Sequence, residues 1–139
     1  VEERRSLERE GLATLFRVHP VIPYLDSLAL MRRSDLLLTV DARLTQSAES
    51  VFLPSKLVDY LGSGTPVLAV TPRRGATARV VAESGGIVCD IEDDEAIEGA
   101  LERIVDQGPP PPPAPAALAP YEHLEVARQL LDVAAGLRR

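Results

Sequence analysis

Apolar residues recur along the chain in two alternating spacings. Short apolar runs predict strands at residues 14–18, 36–40, 66–70 and 87–90. The longer, more polar segments predict helices at residues 1–11, 24–33, 54–61, 76–83 and 94–105. The run at 36–40 is nearly continuous, which is typical of a parallel strand covered on both faces. Asp93 or Asp94 is suited to cap the helix at 94–105.

Helices that alternate with short apolar strands predict an α/β fold with a doubly wound parallel sheet of the Rossmann type. Ligands of such sheets bind beyond the carboxyl ends of the strands. In this chain those ends lead into residues 19–23, 41–53 and 71–75. These three loops are therefore where we expect a binding site.

The last quarter of the chain, residues 108–139, differs in composition from the rest. Residues 108–120 are rich in proline, with five in a row from Pro109 to Pro113, and predict an extended polyproline II spacer. Residues 121–139 predict an amphipathic helix. Its apolar face consists of Leu124, Ala127, Leu130, Leu131, Ala134 and Leu137. The sequence thus divides into an α/β domain at 1–107, a linker at 108–120 and a carboxy-terminal helix at 121–139.

The helix predicted at 54–61 carries the most informative pattern. Pro54 suits a first helical turn, and Ser55 and Lys56 follow at the positive end of the helix, where backbone amides favour an anion. Asp59 lies one turn further along. This arrangement suits a nucleotide, with phosphate at the helix tip and ribose against the carboxylate. An ordinary helix start with a solvated lysine explains the same residues, and their chemistry alone leaves both interpretations open.

Composition and charge limit the classes of protein to which this chain can belong. The chain has 139 residues, 45% of them hydrophobic, which is ordinary for one globular domain. It contains no apolar run long enough to cross a bilayer and no secretory leader pattern, and its single cysteine cannot form an internal disulfide. A net charge of -6 disfavours nucleic acid as a partner. We expect a cytoplasmic protein, and the full-length protein could associate with a membrane surface.

Other candidate residues have simpler interpretations. Arg73 and Arg74 follow a strand and either contact phosphate or an acceptor, or form an exposed basic turn. Cys89 is expected to be a small core residue, and His19 to be a loop histidine bonded to backbone. The chain has too few Cys and His residues for a zinc site, and its serines lack the partners of a nucleophile. No metal ligand and no catalytic residue are predicted.

Three segments together resemble a known family. Residues 24–38 resemble a helix–strand unit of retaining glycosyltransferases of the GT-B fold, family-4 type. Residues 53–70 are similar to the family's PSK-L-x-E-Y-L-x-x-G-x-P-V signature, and residues 79–86 to the helix and glycine turn that follow it. The resemblance covers residues 1–106, and residues 107–139 match only in placement.

The resemblance implies that residues 1–107 are part of the carboxy-terminal domain that binds a nucleotide-diphosphate sugar. The backbone at Val21 and Ile22 would then contact the base, and Asp59 would accept hydrogen bonds from the ribose. The diphosphate would be bound by the backbone and cation of one short segment: Leu53, Pro54, Ser55 and Lys56. The sugar nucleotide is the donor substrate, no separate cofactor is implied, and transfer of the glycosyl group would be metal-independent.

The chain departs from the family pattern in several places. Asp59 stands where the family commonly has glutamate, and the first acid of the family's E-x7-E pattern would fall on Val51, two residues after Glu49. The chain begins without methionine inside a helix-like segment, which indicates a piece of a longer protein. The resemblance therefore implies a truncated domain without its first strands. Its partners would be the sugar-nucleotide donor, a missing amino-terminal acceptor domain and, through exposed sheet edges, a second copy of itself.

The sequence therefore predicts the donor-binding fragment of a glycosyltransferase of cell-envelope or exopolysaccharide synthesis, inactive by itself. Two alternatives remain. One is a fragment of a sugar-nucleotide 2-epimerase of the GT-B fold, which shares the nucleotide pocket. The other is a flavodoxin-like, non-enzymatic interaction module whose polyproline arm recruits a partner.

Overall fold

The computed structural model describes residues 2–17, 19–41 and 49–136 of the protein. The helices in these ranges are α1 (Glu2–Arg9), α2 (Tyr24–Arg33), α3 (Lys56–Ser63), α4 (Ala76–Glu83), α5 (Asp94–Gln107), α6 (Pro115–Leu118) and α7 (His123–Gly136), with a 3-10 turn at Ala119–Tyr121. The strands are β1 (Leu37–Val40), β2 (Glu49–Ser50), β3 (Val67–Thr71), β4 (Arg74–Gly75) and β5 (Ile87–Asp90).

Three of the strands form a parallel sheet in the order β1-β3-β5. Leu37 of β1 lies opposite Val67 of β3, and Leu68 of β3 lies opposite Ile87 of β5. The two-residue strands β2 and β4 form a separate parallel ladder. The predicted α/β class with a parallel sheet is confirmed.

The central strand β3 is buried at all five of its positions, because helices cover both of its faces. Val67 and Ala69 lie in one apolar cluster with side chains of α3 and α4, including Leu57 and Val81. The intervening residue Leu68 belongs to a second cluster with Cys89 and Ala100 of α5. Alternate side chains of a strand point to opposite faces. The sheet is therefore packed between α3 and α4 on one side and α5 on the other.

Strand β1 is covered on one face only. Leu37 and Thr39 are buried, but Leu38 and Val40 on the opposite face are 52% and 55% exposed. The expectation that this run is covered on both faces is therefore wrong. The physical reason is that α5 packs on β5, and among the described residues no element covers this face of β1.

The strand predicted at residues 14–18 is also wrong. Residues 13–15 form a turn, residues 16 and 17 have no regular structure, and residue 18 lies outside the described residues. Leu15 and Phe16 are exposed. An apolar run forms a stable strand only beside another strand, and no described strand pairs with this segment; instead the Leu15 amide donates a turn hydrogen bond of 2.9 Å to the Leu12 carbonyl.

The proline-rich segment is only partly the extended spacer that was expected. Pro115 starts the short helix α6, at a position where proline's missing N–H is not needed. Leu118 and Tyr121 then pack against the apolar cluster of α3 and α4, and the Tyr121 hydroxyl donates a hydrogen bond to Glu83. The end of the segment is thus attached to the body of the domain.

The predicted carboxy-terminal helix is observed as α7, and its apolar face is exposed. No residue of α7 is buried, and Leu124, Leu130 and Leu131 are each at least 65% exposed. Leu137, which was assigned to the same face, lies outside the described residues. None of the described helices is long and apolar enough to cross a membrane.

Two glycines provide a matched test of the packing. A Cβ at Gly86 would lie 2.6 Å from both the Val67 carbonyl oxygen and Val81 Cγ1, whereas a Cβ at Gly62 would meet nothing within 4 Å. We expect Gly86→Ala to lower the free energy of unfolding by about 1–3 kcal/mol through overpacking. Gly62→Ala should raise it by about 0.5–1 kcal/mol, because alanine favours the helix. Urea denaturation measures both, and equal effects would contradict the observed packing.

The contact of Tyr121 predicts a loss of stability in alkali. Burial and the hydrogen bond to Glu83 raise the pKa of Tyr121 to about 12, from 10.0 in the unfolded chain. As the pH rises from about 10 to about 12, the unfolded chain loses this proton first, so the contribution of Tyr121 falls. The difference in unfolding free energy between the native protein and Tyr121→Phe should therefore shrink from about pH 9 to about pH 11.5. A constant difference in urea denaturation would contradict this assignment.

Candidate functional site

The start of α3 lies two residues later than the sequence predicts. Pro54 is buried and precedes Ser55, which flanks the helix in an α conformation. The amides of Leu57 and Val58 donate to the carbonyls of Pro54 and Ser55 at 2.9 and 3.2 Å. These tight i-to-i−3 bonds satisfy two of the donors that a helix start normally leaves free.

The remaining amides at this helix start are available to a ligand. Among the described residues, the amides of Leu53, Ser55 and Lys56 form no hydrogen bond. Ser55 and Lys56 are exposed, so packed side chains do not block the helix start. Helix α3 follows the loop after β1 and precedes β3, so its amino end lies at the carboxyl edge of the sheet. Free amides at the positive end of a helix favour an anion there.

Lys56 adds a full positive charge to this position. It is the only lysine in the chain. Its Nζ lies 5.9 Å from the centroid of the Tyr60 ring, one turn further along α3, a distance at which the ring attracts the cation. No described carboxylate forms an ion pair with it, so its charge is not neutralised within the described part of the chain.

The Asp59 carboxylate accepts a hydrogen bond from a residue that the sequence did not identify as part of the site. The Tyr24 hydroxyl at the start of α2 donates a hydrogen bond of 2.7 Å to Asp59 Oδ1. This bond to a carboxylate, with a smaller contribution from burial, raises the pKa of Tyr24. Asp59 Oδ2 has no hydrogen-bond partner among the described residues and is free to accept a further hydroxyl group.

The predicted base-contacting residues lie immediately before Tyr24. Val21 is fully exposed and Ile22 is half-buried, in the loop that leads into α2. Because α2 packs against α3, the Tyr24–Asp59 bond connects this loop to the start of α3. The structure thus brings the carboxylate and the loop of the predicted nucleotide site to one region, although neither Val21 nor Ile22 contacts α3 through a hydrogen bond.

The two adjacent arginines after β3 have different environments. Arg73 binds two carboxylates, at 3.1 Å to Asp90 and 3.1 Å to Asp93. Asp93 also caps α5 by accepting a bond of 2.9 Å from the Ala96 amide, which confirms the predicted cap. Arg73 therefore fastens the loop to the end of β5, whereas Arg74 is exposed and lies on β4.

A buried carboxylate lies where β1 ends. Asp41 is 6% exposed, and its Oδ2 accepts a hydrogen bond of 2.6 Å from the Thr71 hydroxyl at the end of β3. Asp41 Oδ1 and the hydroxyl of Thr39, two residues earlier on the same face, are buried and have no hydrogen-bond partner among the described residues. Sequence reasoning gave Asp41 no role in the site. The available signal was a carboxylate directly after one strand and a threonine at the end of the next.

The other candidates form no site. Cys89 is buried, which confirms its expected place in the core, and burial raises the pKa of its thiol. His19 and His123 are exposed. Of Glu49 only the backbone lies within the described part of the chain. Across residues 2–17, 19–41 and 49–136, no group of three or more His, Cys, Asp or Glu side chains could hold a metal ion.

Comparison of the chain with protein-family models, with curated proteins and with solved structures found no match.

The Asp41–Thr71 hydrogen bond predicts that a Thr→Val substitution affects stability differently at position 71 and at position 39. Thr71→Val removes the only described donor to the buried Asp41 carboxylate and should lower the free energy of unfolding by about 1.5–3 kcal/mol. Thr39→Val removes a buried hydroxyl that no described residue contacts through a hydrogen bond, so stability should be unchanged or higher. Both are measured by urea denaturation at neutral pH. A loss of stability in Thr39→Val as large as that in Thr71→Val would contradict this assignment.

Proposed function

We propose that the chain is the donor-nucleotide-binding part of a glycosyltransferase of the GT-B type. The observation that carries the proposal is the open start of α3, where the amides of Ser55 and Lys56 have no hydrogen-bond partner among the described residues and Lys56 adds an exposed cationic side chain. Such a site recognises an oxyanion, and a diphosphate presents several. The order of side chains along α3, cation first and carboxylate one turn later, matches a diphosphate followed by a ribose.

The Asp59 carboxylate supports the nucleoside half of the proposal. Its Oδ1 is held by Tyr24 at 2.7 Å, which restricts the side chain to one orientation before a ligand arrives. A carboxylate oriented in this way loses less conformational entropy on binding. Its second oxygen would accept one ribose hydroxyl.

The exposed apolar surfaces support a larger protein around this chain. Leu38 and Val40 form an uncovered face of the sheet, and α7 exposes a row of leucines. Surfaces of this kind in a folded protein usually lie against another element or another domain. In the proposed protein, further strands and helices of the same doubly wound domain cover β1, and the acceptor domain lies against α7.

The proposed reaction assigns a limited role to these residues. In glycosyl transfer the bond between the anomeric carbon and the diphosphate oxygen breaks, and a bond to an acceptor oxygen forms while the acceptor loses a proton. Amides and a cation placed at the diphosphate stabilise the negative charge that develops on this leaving group. The residues described here bind and orient the donor. No residue of the chain is assigned to act on the acceptor.

Calorimetric titration with UDP, GDP, ADP and inorganic pyrophosphate tests the proposal. Lys56→Gln should weaken binding of both nucleoside diphosphate and pyrophosphate about five- to tenfold, because a charge-assisted contact is lost. Asp59→Asn should weaken binding of the nucleoside diphosphate and leave pyrophosphate unchanged. Arg33→Gln removes an exposed charge at the far end of α2 and serves as the control. Nucleotide affinity that is the same in the native protein and in Lys56→Gln would contradict the proposed donor site.

A second measurement uses the single lysine. An amine-selective acylating reagent can modify Lys56 and the amino terminus alone, so peptide mass spectrometry reports the two rates separately. Bound nucleoside diphosphate should slow modification of Lys56 and leave the amino terminus unaffected. Equal rates with and without nucleotide would count against contact between the diphosphate and the ammonium.

A further inference from the structure

The surface of α5 carries a shallow groove that the proposed donor site does not use. The groove has a volume of about 640 Å³, and the described residues that line it all belong to α5. Three of them form an apolar row with the i, i+4 spacing of neighbours on one helix face: Ile97, Leu101 and Val105. Ile97 also packs against the core, whereas Leu101 and Val105 are 47% and 82% exposed. The packing of α5 on the sheet therefore does not account for these two apolar side chains.

A row of acids runs beside the apolar row. Its members also follow one another at i, i+4 and are all exposed: Asp94, Glu98, Glu102 and Asp106. Like charges at this spacing repel one another and destabilise a helix. Asp106 adds to this effect because it lies in the last turn, at the negative end of the helix dipole, where α5 has no base. The repulsion within the acid row therefore opposes the folding of α5.

No described base lines the groove. Arg103 is the one base of α5, and its guanidinium lies 3.7 Å from where a Cβ at Gly99 would be, beside a residue that does not line the groove. None of the ion pairs among the described residues involves the acid row. The surface that complements this groove therefore has an apolar centre and a row of bases along one side.

We propose that the groove binds an amphipathic helix of a partner protein, with lysines or arginines opposite the acid row and apolar side chains against Leu101 and Val105. The two rows span residues 94–106, which is about 18 Å of helix, and a straight apolar row of this length fits the apolar row of a second helix. Nucleic acid and anionic lipid are repelled by the acid row. The proposal does not depend on the proposed function, because no described lining residue belongs to α2 or α3.

Fluorescence anisotropy of a labelled peptide tests the proposal with the 139-residue chain. The probe is an amphipathic peptide of about 18 residues, long enough to fill the groove as a helix, with leucines at i, i+3 and i+4 and lysines on both sides of the leucine row. It should bind more tightly than a peptide of the same composition in scrambled order, and more tightly than one with glutamate in place of lysine. Binding should weaken as salt is added, because the acids are exposed.

Substitutions in each row test its contribution. Glu98→Gln/Glu102→Gln should weaken binding about tenfold, the effect of two exposed ion pairs together. Val105→Ser should weaken it about tenfold through lost apolar burial. The matched controls lie on α7, where Asp132→Asn and Leu131→Ser change an exposed acid and an exposed leucine and should leave the affinity unchanged. Because the double variant removes mutual repulsion, urea denaturation should show it to be at least as stable as the native chain.

The proposal is overturned if the lysine peptide does not bind, if the scrambled or the glutamate peptide binds as tightly, or if the substitutions in the two rows leave its affinity unchanged. It is also overturned if Leu131→Ser alone weakens binding, since the peptide then occupies α7. A light-scattering mass of two chains that falls to one chain in Val105→Ser would identify the groove as an interface between copies of this chain and would likewise overturn it. Lys56→Gln should bind the peptide as the native chain does, so failure of this proposal leaves the proposed function in place.

Discussion

The burial of β3 on both faces is the constraint on which the rest of the structure depends. A strand with helices on each side must be apolar at every position, and its parallel neighbours must run in the same direction. The helices that return between them then begin at one edge of the sheet. This is why the start of α3, the start of α4 and the carboxylate after β1 lie at the same edge, where α/β proteins bind their ligands.

The sequence predicted the elements that depend on local pattern and burial together. The bounds of α2, α4 and β5 agree with the structure, and β3 is displaced by one residue. The prediction of a strand at residues 14–18 was wrong because no neighbouring strand pairs with that apolar run. The prediction that β1 is covered on both faces was wrong because only one of its faces is covered. A short apolar segment records which residues can be buried, but not whether a neighbour is present to bury them. The prediction of an extended spacer at residues 108–120 was wrong in part for the opposite reason: a packing partner is present. Leu118 and the following Tyr121 pack against the apolar cluster of α3 and α4, which composition does not reveal.

In the candidate site, too, the sequence revealed residues that lie on one element and missed contacts between elements. The cation and carboxylate of α3 were identified because their spacing along one helix is visible in the sequence. Tyr24 was missed because its bond to Asp59 joins residues 35 positions apart, and only the packing of α2 on α3 brings them together. The buried Asp41–Thr71 pair was missed for the same reason, since it joins the ends of two strands 30 positions apart. Sequence spacing reveals sites on one element, and contacts between elements require the fold.

The attachment of the proline-rich segment to α4 has a consequence for how the domain is delimited. Leu118 and Tyr121 cover part of the apolar cluster beneath α3 and α4, so the compact body does not end where the prolines begin. A shortened protein that stops after α5 would expose that part of the cluster to water and would be less stable than the full chain. The packed domain therefore extends beyond the prolines to Tyr121, whose hydroxyl is bonded to Glu83 of α4.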